Sequence, residues 1–190
     1  MAPVRWDAAL FEARVRDELV PFDIPGGAGR RYYRNAGRTV RRGAELGAEA
    51  DAGAFTLRMA YTLSHFRYVD YVVGTTSYAG NRIPGVPEHA VSGAAAWRHD
   101  AFTLSVTADL AGTMDVDDAN SARASGHTVF GLGTGTTVRV GHARMSPLVA
   151  LQNLTGARYV SSVSVNATAG KFFEPAPGRT LVLRLAASRE

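Results

Sequence analysis

The sequence predicts an all-β protein, an antiparallel β-barrel segment of about eight strands. Long stretches alternate strictly between apolar and polar residues, most clearly over residues 55–64 and 102–110. That period of two belongs to a strand and not to a helix. The connections between the alternating stretches are in turn long and short along the whole chain. No stretch approaches the ~18 consecutive apolar residues of a membrane-spanning helix.

The predicted strands follow one another without other elements between them. They cover residues 5–20, 32–50, 55–64, 88–97, 102–110 and 130–140, and the two runs of the hairpin 146–186. In the first run we expect an apolar face with Ala9, Phe11, Ala13 and Val15, opposite a polar face with Glu12, Arg14, Arg16 and Glu18. An amphipathic helix is the alternative for this run, because Ala, Leu, Glu and Arg are good helix formers.

The placement of the apolar face distinguishes two kinds of barrel. In a self-contained soluble barrel or sandwich that binds an apolar ligand, this face would point inward. In a transmembrane barrel it faces lipid around a polar lumen, with short periplasmic turns and long extracellular loops. The alternating connection lengths favour the transmembrane barrel. Several predicted strands also exceed the usual globular length of roughly 3–10 residues.

The amino-acid composition argues against several other classes of function. Twenty of the 21 basic residues are Arg, the exception being Lys171, and the net charge is +4. Because the arginines are scattered along strands and not gathered in one patch, nucleic-acid binding is not expected. Cysteine is absent, so neither disulfides nor thiolate metal sites can form.

No catalytic or metal-binding constellation is apparent. The five histidines are too dispersed for a zinc or haem site. The segment 115–120 carries three Asp and one Asn, but it lacks the Gly and the closing Glu of an EF-hand, so we expect a solvated loop. We predict no enzymatic activity and no cofactor.

An ordered series of short motifs resembles the TonB-dependent outer-membrane receptors. The series runs through 17–20 (DELV), 33–38 (YRNAGR), 42–46 (RGAEL), 80–89 (GNRIPGVPEH), 117–120 (DDAN), 152–154 (QNL) with Tyr159 and Asn166, and 172–179 (FFEPAPGR). The resemblance covers nearly the whole chain in the family's order.

The resemblance implies a barrel of about 22 strands around a plug, of which residues 1–190 would form the C-terminal portion without plug or signal peptide. It implies uptake of a ferric siderophore or similar metal chelate across the outer membrane of a Gram-negative bacterium. The partners would be membrane lipid, the remaining strands and the plug, with the TonB complex engaged only through that plug. A non-functional receptor fragment is the alternative.

Two groups of residues are the candidate functional positions. We expect the long loops to contribute to an outer ligand site through Tyr78, Asn81, Arg82 and Arg123. We expect eight charged residues to face the lumen: Arg14, Arg41, Glu45, Glu49, Arg58, Asp109, Arg139 and Arg184.

Overall fold

A computed structural model of the chain describes residues 4–24, 30 and 32–189. Within these ranges, eight long strands form one antiparallel sheet. They are β1 Val4–Arg16, β2 Arg38–Ala52, β3 Phe55–Asp70, β4 His89–His99, β5 Phe102–Ala111, β6 His127–Thr136 with its continuation Val138–Val140, β7 Ala143–Gln152 and β8 Thr180–Arg189. The all-β class predicted from the alternation is confirmed.

The sheet is a meander in which each long strand pairs with its neighbours in the chain. β6 and its continuation keep one register against β7, since Gly135 pairs with Leu148 and Val138 with Met145. Among the strands that the structure describes, β1 and β8 each pair with a single long strand, so the sheet is open at these two edges. An open sheet edge leaves backbone hydrogen-bonding groups without strand partners.

The connections alternate in length as predicted. Three are two-residue turns, which begin at Gly53, Asp100 and Gly141 with the backbone in the left-handed region. We call the opposite end of the sheet the long-loop end. It carries loop 1 (residues 17–37), loop 2 (71–88), loop 3 (112–126) and loop 4 (153–179).

The long loops contain short antiparallel pairs of their own. These are Leu19–Phe22 with Tyr32–Asn35, Val72–Val73 with Thr76–Ser77, Met114–Asp115 with Arg123–Ala124, and Val160–Val163 with Phe173–Pro175, besides a 3-10 turn at Thr168–Gly170. In the described ranges, no helix has the length and apolar character needed to cross a membrane.

The pairing register sorts the side chains onto two faces. One face, which we call the apolar face, carries Leu181, Leu183 and Leu185 of β8 with more than 60% of each residue exposed. The opposite face, the polar face, carries the intervening Thr180, Val182 and Arg184. Because the apolar side chains are exposed and do not enclose an interior, the structure does not fit a self-contained barrel around an apolar ligand.

The register of β1 corrects one prediction. Glu12 pairs with Arg42 and Arg14 with Val40, so Arg14 lies on the face of Trp6 and Leu10. Ala9, Phe11, Ala13 and Val15 therefore lie on the polar face, and the expected orientation of this strand is wrong. Residues 8–11 (AALF) are apolar at both parities, so alternation alone left the face undecided.

Two predicted strands are also shorter than expected. The first ends at Arg16, since Asp17 adopts a φ of 59° that a strand cannot continue through. The second is divided at Gly37, whose φ is 70°. Both breaks fall in loop 1, where the chain turns into the short pair Leu19–Phe22 with Tyr32–Asn35.

The buried core lies at the long-loop end of the sheet. Among the described residues, the buried hydrophobic side chains are Val20, Ala36, Tyr68, Tyr71, Val116 and Ala124. They come from three long loops and, in the case of Tyr68, from the last residues of β3. Burial of this apolar area holds the loops together.

Candidate functional site

The long loops meet at the carboxylate of Asp118. Its Oδ1 accepts a hydrogen bond from the Tyr68 hydroxyl at 2.7 Å, and its Oδ2 accepts one from the Tyr71 hydroxyl at 2.9 Å. All three residues are buried. A buried carboxylate is tolerated because charge-assisted hydrogen bonds compensate for its lost hydration.

Asn166 brings loops 1 and 4 to the same point. Its Nδ2 donates to Asp118 Oδ2 at 3.0 Å and to the carbonyl of Pro21 at 2.9 Å, while its Oδ1 accepts from the backbone N–H of Asp118 at 2.9 Å. We call Tyr68, Tyr71, Asp118 and Asn166 the Asp118 cluster. With Pro21, the cluster connects all four long loops.

The surroundings of the cluster change the pKa of Tyr71. Burial raises the pKa of Tyr71 above its ordinary value, and the neighbouring Asp118 carboxylate raises this pKa further. The phenol is therefore held in its neutral, hydrogen-donating form. That form is the one that Asp118 needs as a partner.

The expectation of a solvated loop over 115–120 is wrong. Asp115 and Asp118 are 3% and 6% exposed. Asn120 exchanges hydrogen bonds with Arg82, accepting from its backbone N–H at 2.8 Å and donating to its carbonyl at 3.0 Å. In the part of the chain that the structure describes, no group of three or more His, Cys, Asp or Glu residues could hold a metal ion.

Hydrogen bonds from residues of the 17–20 and 33–38 motifs hold the two ends of loop 1 together. The Asn35 side chain donates from Nδ2 to Asp17 at 2.9 Å and accepts at Oδ1 from the backbone N–H of Gly37. Glu18 binds the Thr39 hydroxyl and the Arg41 guanidinium. These contacts fix the chain where it leaves β1 and enters β2.

A cavity of about 500 Å³ lies between loops 3 and 4. This volume falls in the range of roughly 300–1,000 Å³ that is typical of small-molecule sites. Two cations and two aromatic rings contribute to its wall, from Arg123, Arg158, Tyr159 and Phe173. Tyr159 is fixed by stacking on His127, with 4.3 Å between the ring centroids. We call this space the loop cavity. The guanidinium groups suit an anionic ligand, and the aromatic faces offer surfaces on which planar groups can stack.

The four predicted loop residues have different surroundings. Arg123 lines the loop cavity, and its Nε donates to the buried Asp115 at 2.6 Å. Tyr78 packs on Tyr71 with 5.4 Å between centroids. Asn81 donates from Nδ2 to the carbonyl of Asp118 at 2.7 Å.

Arg82 forms an ion pair with Glu88, 2.7 Å from Nη1 to Oε2. The hydrogen bond from this guanidinium lowers the pKa of Glu88 below its ordinary value. Thus Tyr78, Asn81 and Arg82 are engaged in contacts within and between loops. Arg158, Tyr159 and Phe173 were not among the predicted positions, although Tyr159 stood out in a motif.

Most of the charged residues that the sequence predicts to face a lumen lie on the polar face of the sheet. Cross-strand register places seven of the eight predicted residues on this face, namely Arg41, Glu45, Glu49, Arg58, Asp109, Arg139 and Arg184. Arg58 Nη2 lies 2.9 Å from Glu49, and Arg5 lies 3.3 Å from Glu49 and from Asp51. These pairs form a network on the polar face near the short turns.

A sheet with one exposed apolar face, one charged face, short turns at one end and joined long loops at the other defines part of the wall of a membrane β-barrel. A family model described as TonB dependent receptor-like, beta-barrel matches residues 3–168, so the chain belongs to this family. The family consists of outer-membrane receptors that act as transporters and not as enzymes.

Solved structures share the fold. The ferric yersiniabactin uptake receptor FyuA from Yersinia pestis has a TM-score of 0.73 and 21% identity, over 96% of this chain and 27% of FyuA. The ferric citrate transporter FecA has a TM-score of 0.79 and 16% identity, over 97% of this chain and 28% of FecA. The copper transporter OprC has a TM-score of 0.68 and 15% identity, over 96% of this chain and 27% of OprC. The chain spans about a quarter of the length of these proteins.

Proposed function

We propose that this chain is part of the barrel wall of an outer-membrane, TonB-dependent transporter that takes up a ferric siderophore or a similar metal chelate. In this proposal residues 1–190 form the C-terminal portion of a larger barrel. Further strands pair with the open edges of β1 and β8, and a plug occupies the lumen. The TonB complex then acts through the plug.

One observation carries the proposal. The four long loops are joined into one unit at a single end of the sheet, and a cavity lined by Arg123, Arg158, Tyr159 and Phe173 lies between two of them. Metal chelates of siderophores and citrate are commonly anionic, and the two guanidinium groups supply the complementary charge. The related structures named for ferric chelates support this class of cargo.

The proposal is tested first in the genome and then in cells. Reading the DNA upstream of Met1 in frame is expected to show a signal peptide, a plug and further strands. Deletion of the gene in its own bacterium is then expected to abolish uptake of at least one radiolabelled ferric chelate from a panel that includes citrate. A stop codon and a ribosome-binding site just before Met1 would favour the alternative, a fragment without transport.

A second comparison tests the loop cavity. In the complemented strain, the double variant Arg123→Ala, Arg158→Ala is expected to weaken chelate binding by about tenfold or more, since hydrogen bonds to charged groups are lost. Lys171→Ala removes a positive charge elsewhere in loop 4 and serves as the control. Equal binding by the double variant and the control would exclude the loop cavity as the ligand site.

A further inference from the structure

The apolar face changes character near the long-loop end. Towards the short turns, β1 presents Trp6 and Leu10, which are 71% and 88% exposed. Closer to the long loops the same face presents two arginines from β1 and two from β2, one of them at the β-bulge of β2. We call these residues the arginine patch: Arg14, Arg16, Arg38 and Arg42. A band of apolar side chains is thus followed by a band in which arginines predominate, with Glu12 among them.

The patch is concave. A cavity of about 330 Å³ is lined by the four arginines together with apolar groups that include Val40 and Val69. Guanidinium groups beside valine side chains match a ligand that combines an anionic head with hydrocarbon. Arginine in particular binds phosphate through two parallel hydrogen bonds.

The positive charge of the patch is only partly neutralised within the chain. Glu12 bridges two of its members, 2.7 Å from Arg14 and 2.7 Å from Arg42, and Asp70 lies 3.4 Å from Arg38. Among the described residues, Arg14, Arg38 and Arg42 form ion pairs and Arg16 does not. Four guanidinium groups therefore face two carboxylates.

The register adds a like-charge contact. Arg16 pairs directly with Arg38 across β1 and β2. Like charges directly opposite each other destabilise a strand pair. An anion placed between these two side chains would turn that repulsion into attraction.

We propose that the arginine patch binds the phosphate groups of an anionic lipid in the leaflet at the long-loop end of the barrel. The inference rests on the proposed function, because it requires the apolar face to contact a membrane. The acyl chains then lie along Leu10 and Trp6, and the head-group phosphates lie among the arginines. A phosphate-bearing glycolipid such as diphosphoryl lipid A has this chemistry.

The test uses the full-length receptor purified in detergent, with diphosphoryl lipid A, phosphatidylethanolamine and inorganic phosphate as separate probes. Diphosphoryl lipid A is expected to raise the thermal midpoint of the wild type, whereas the other two have little effect. The variant Arg16→Gln, Arg38→Gln is expected to bind lipid A about tenfold more weakly. It also loses the thermal shift. Arg184→Gln, on the polar face, is the control and keeps both.

The outcomes separate this inference from the proposed function. Without lipid, the double variant is expected to keep a thermal midpoint close to that of the wild type, because removal of the Arg16–Arg38 like-charge contact offsets loss of the exposed Arg38–Asp70 ion pair. An unchanged midpoint shows that the loss of binding is not caused by misfolding. Unchanged lipid A binding by the double variant would overturn the inference while chelate uptake stands. Equal stabilisation by inorganic phosphate would overturn it too, because a lipid is then not required. Loss of chelate uptake on gene deletion concerns the proposed function alone.

Discussion

The hydroxyl of Tyr68 donates a 2.7 Å hydrogen bond to Asp118, a residue 50 positions further along the chain. Tyr68 lies near the end of β3 and Asp118 lies in loop 3, so the bond connects the sheet to the long loops. Both partners are buried, and the charge on Asp118 makes the bond stronger than one between neutral groups. Four predictions concern this cluster and the two faces of the sheet.

Asp118→Ala is expected to loosen several loops at once. Tyr68, Tyr71 and Asn166 would lose their charged partner, at a cost of about 2 to 4 kcal/mol. Hydrogen exchange followed by mass spectrometry on the intact receptor should show faster exchange in loops 2 and 4. Asp117→Ala is the matched control, because among the described residues the Asp117 side chain hydrogen-bonds Ser121 alone, with 2.8 Å to the Ser121 backbone N–H. Equal exchange in the two variants would contradict the central role of Asp118.

The loops are expected to become less stable at alkaline pH. The pKa of Tyr71 in the folded protein lies above its unfolded value of 10.0, so its contribution to stability is complete below about pH 10 and declines as the pH rises towards the folded pKa. Hydrogen exchange of loop 2 measured from pH 8 to pH 11, corrected for the intrinsic rate, should show this loss. Tyr71→Phe should show a smaller pH dependence, and an unchanged dependence would refute the assignment to Tyr71.

The two faces can be distinguished by single cysteines, since the natural chain contains none. In membranes, Arg184→Cys and Ala9→Cys are expected to react with a charged, water-soluble maleimide. Leu183→Cys and Leu10→Cys should react poorly, because lipid surrounds these positions. Labelling of Leu10→Cys but not Ala9→Cys would restore the face first expected for β1 and contradict the register described above.

Gly43 is expected to resist even a methyl group. A Cβ at this position would overlap the ring of Phe11, which lies across the glycine, and the backbone carbonyl of Leu63. Gly43→Ala should destabilise the β1–β2 pair by about 1 to 3 kcal/mol, as overpacking does. Gly93→Ala is the matched control, since the nearest atom to its Cβ lies at 3.8 Å. Thermal unfolding in detergent compares them, and equal midpoints would argue against the Phe11 contact.

Alternation in the sequence predicted most of the sheet. It worked for β3, β5 and β8 because apolar and polar residues there separate cleanly by parity. It failed for β1, where Ala9 and Leu10 are both apolar and only the pairing with β2 decides which of them faces lipid. Pairing between strands is a long-range property that the pattern of one strand does not contain.

The candidate site was less predictable for a related reason. Asp118 lies in a polar stretch that suggests solvent exposure, and its partners Tyr68, Tyr71 and Asn166 are 47 to 50 residues away. Only the folded arrangement of the loops shows that these groups meet. Likewise, Arg123 and Arg158 line one cavity although they belong to different loops.

The Asp118 cluster also bears on how such a receptor could change its cargo during evolution. The loops are joined near the sheet through buried groups, whereas Arg158 and Phe173 lie in the part of loop 4 that borders the loop cavity. Substitutions at these two positions can therefore be sampled without breaking the contacts that order the loops. A library confined to Arg158 and Phe173 would explore new ligands while the Arg123–Asp115 ion pair and the Tyr159–His127 stacking stay in place.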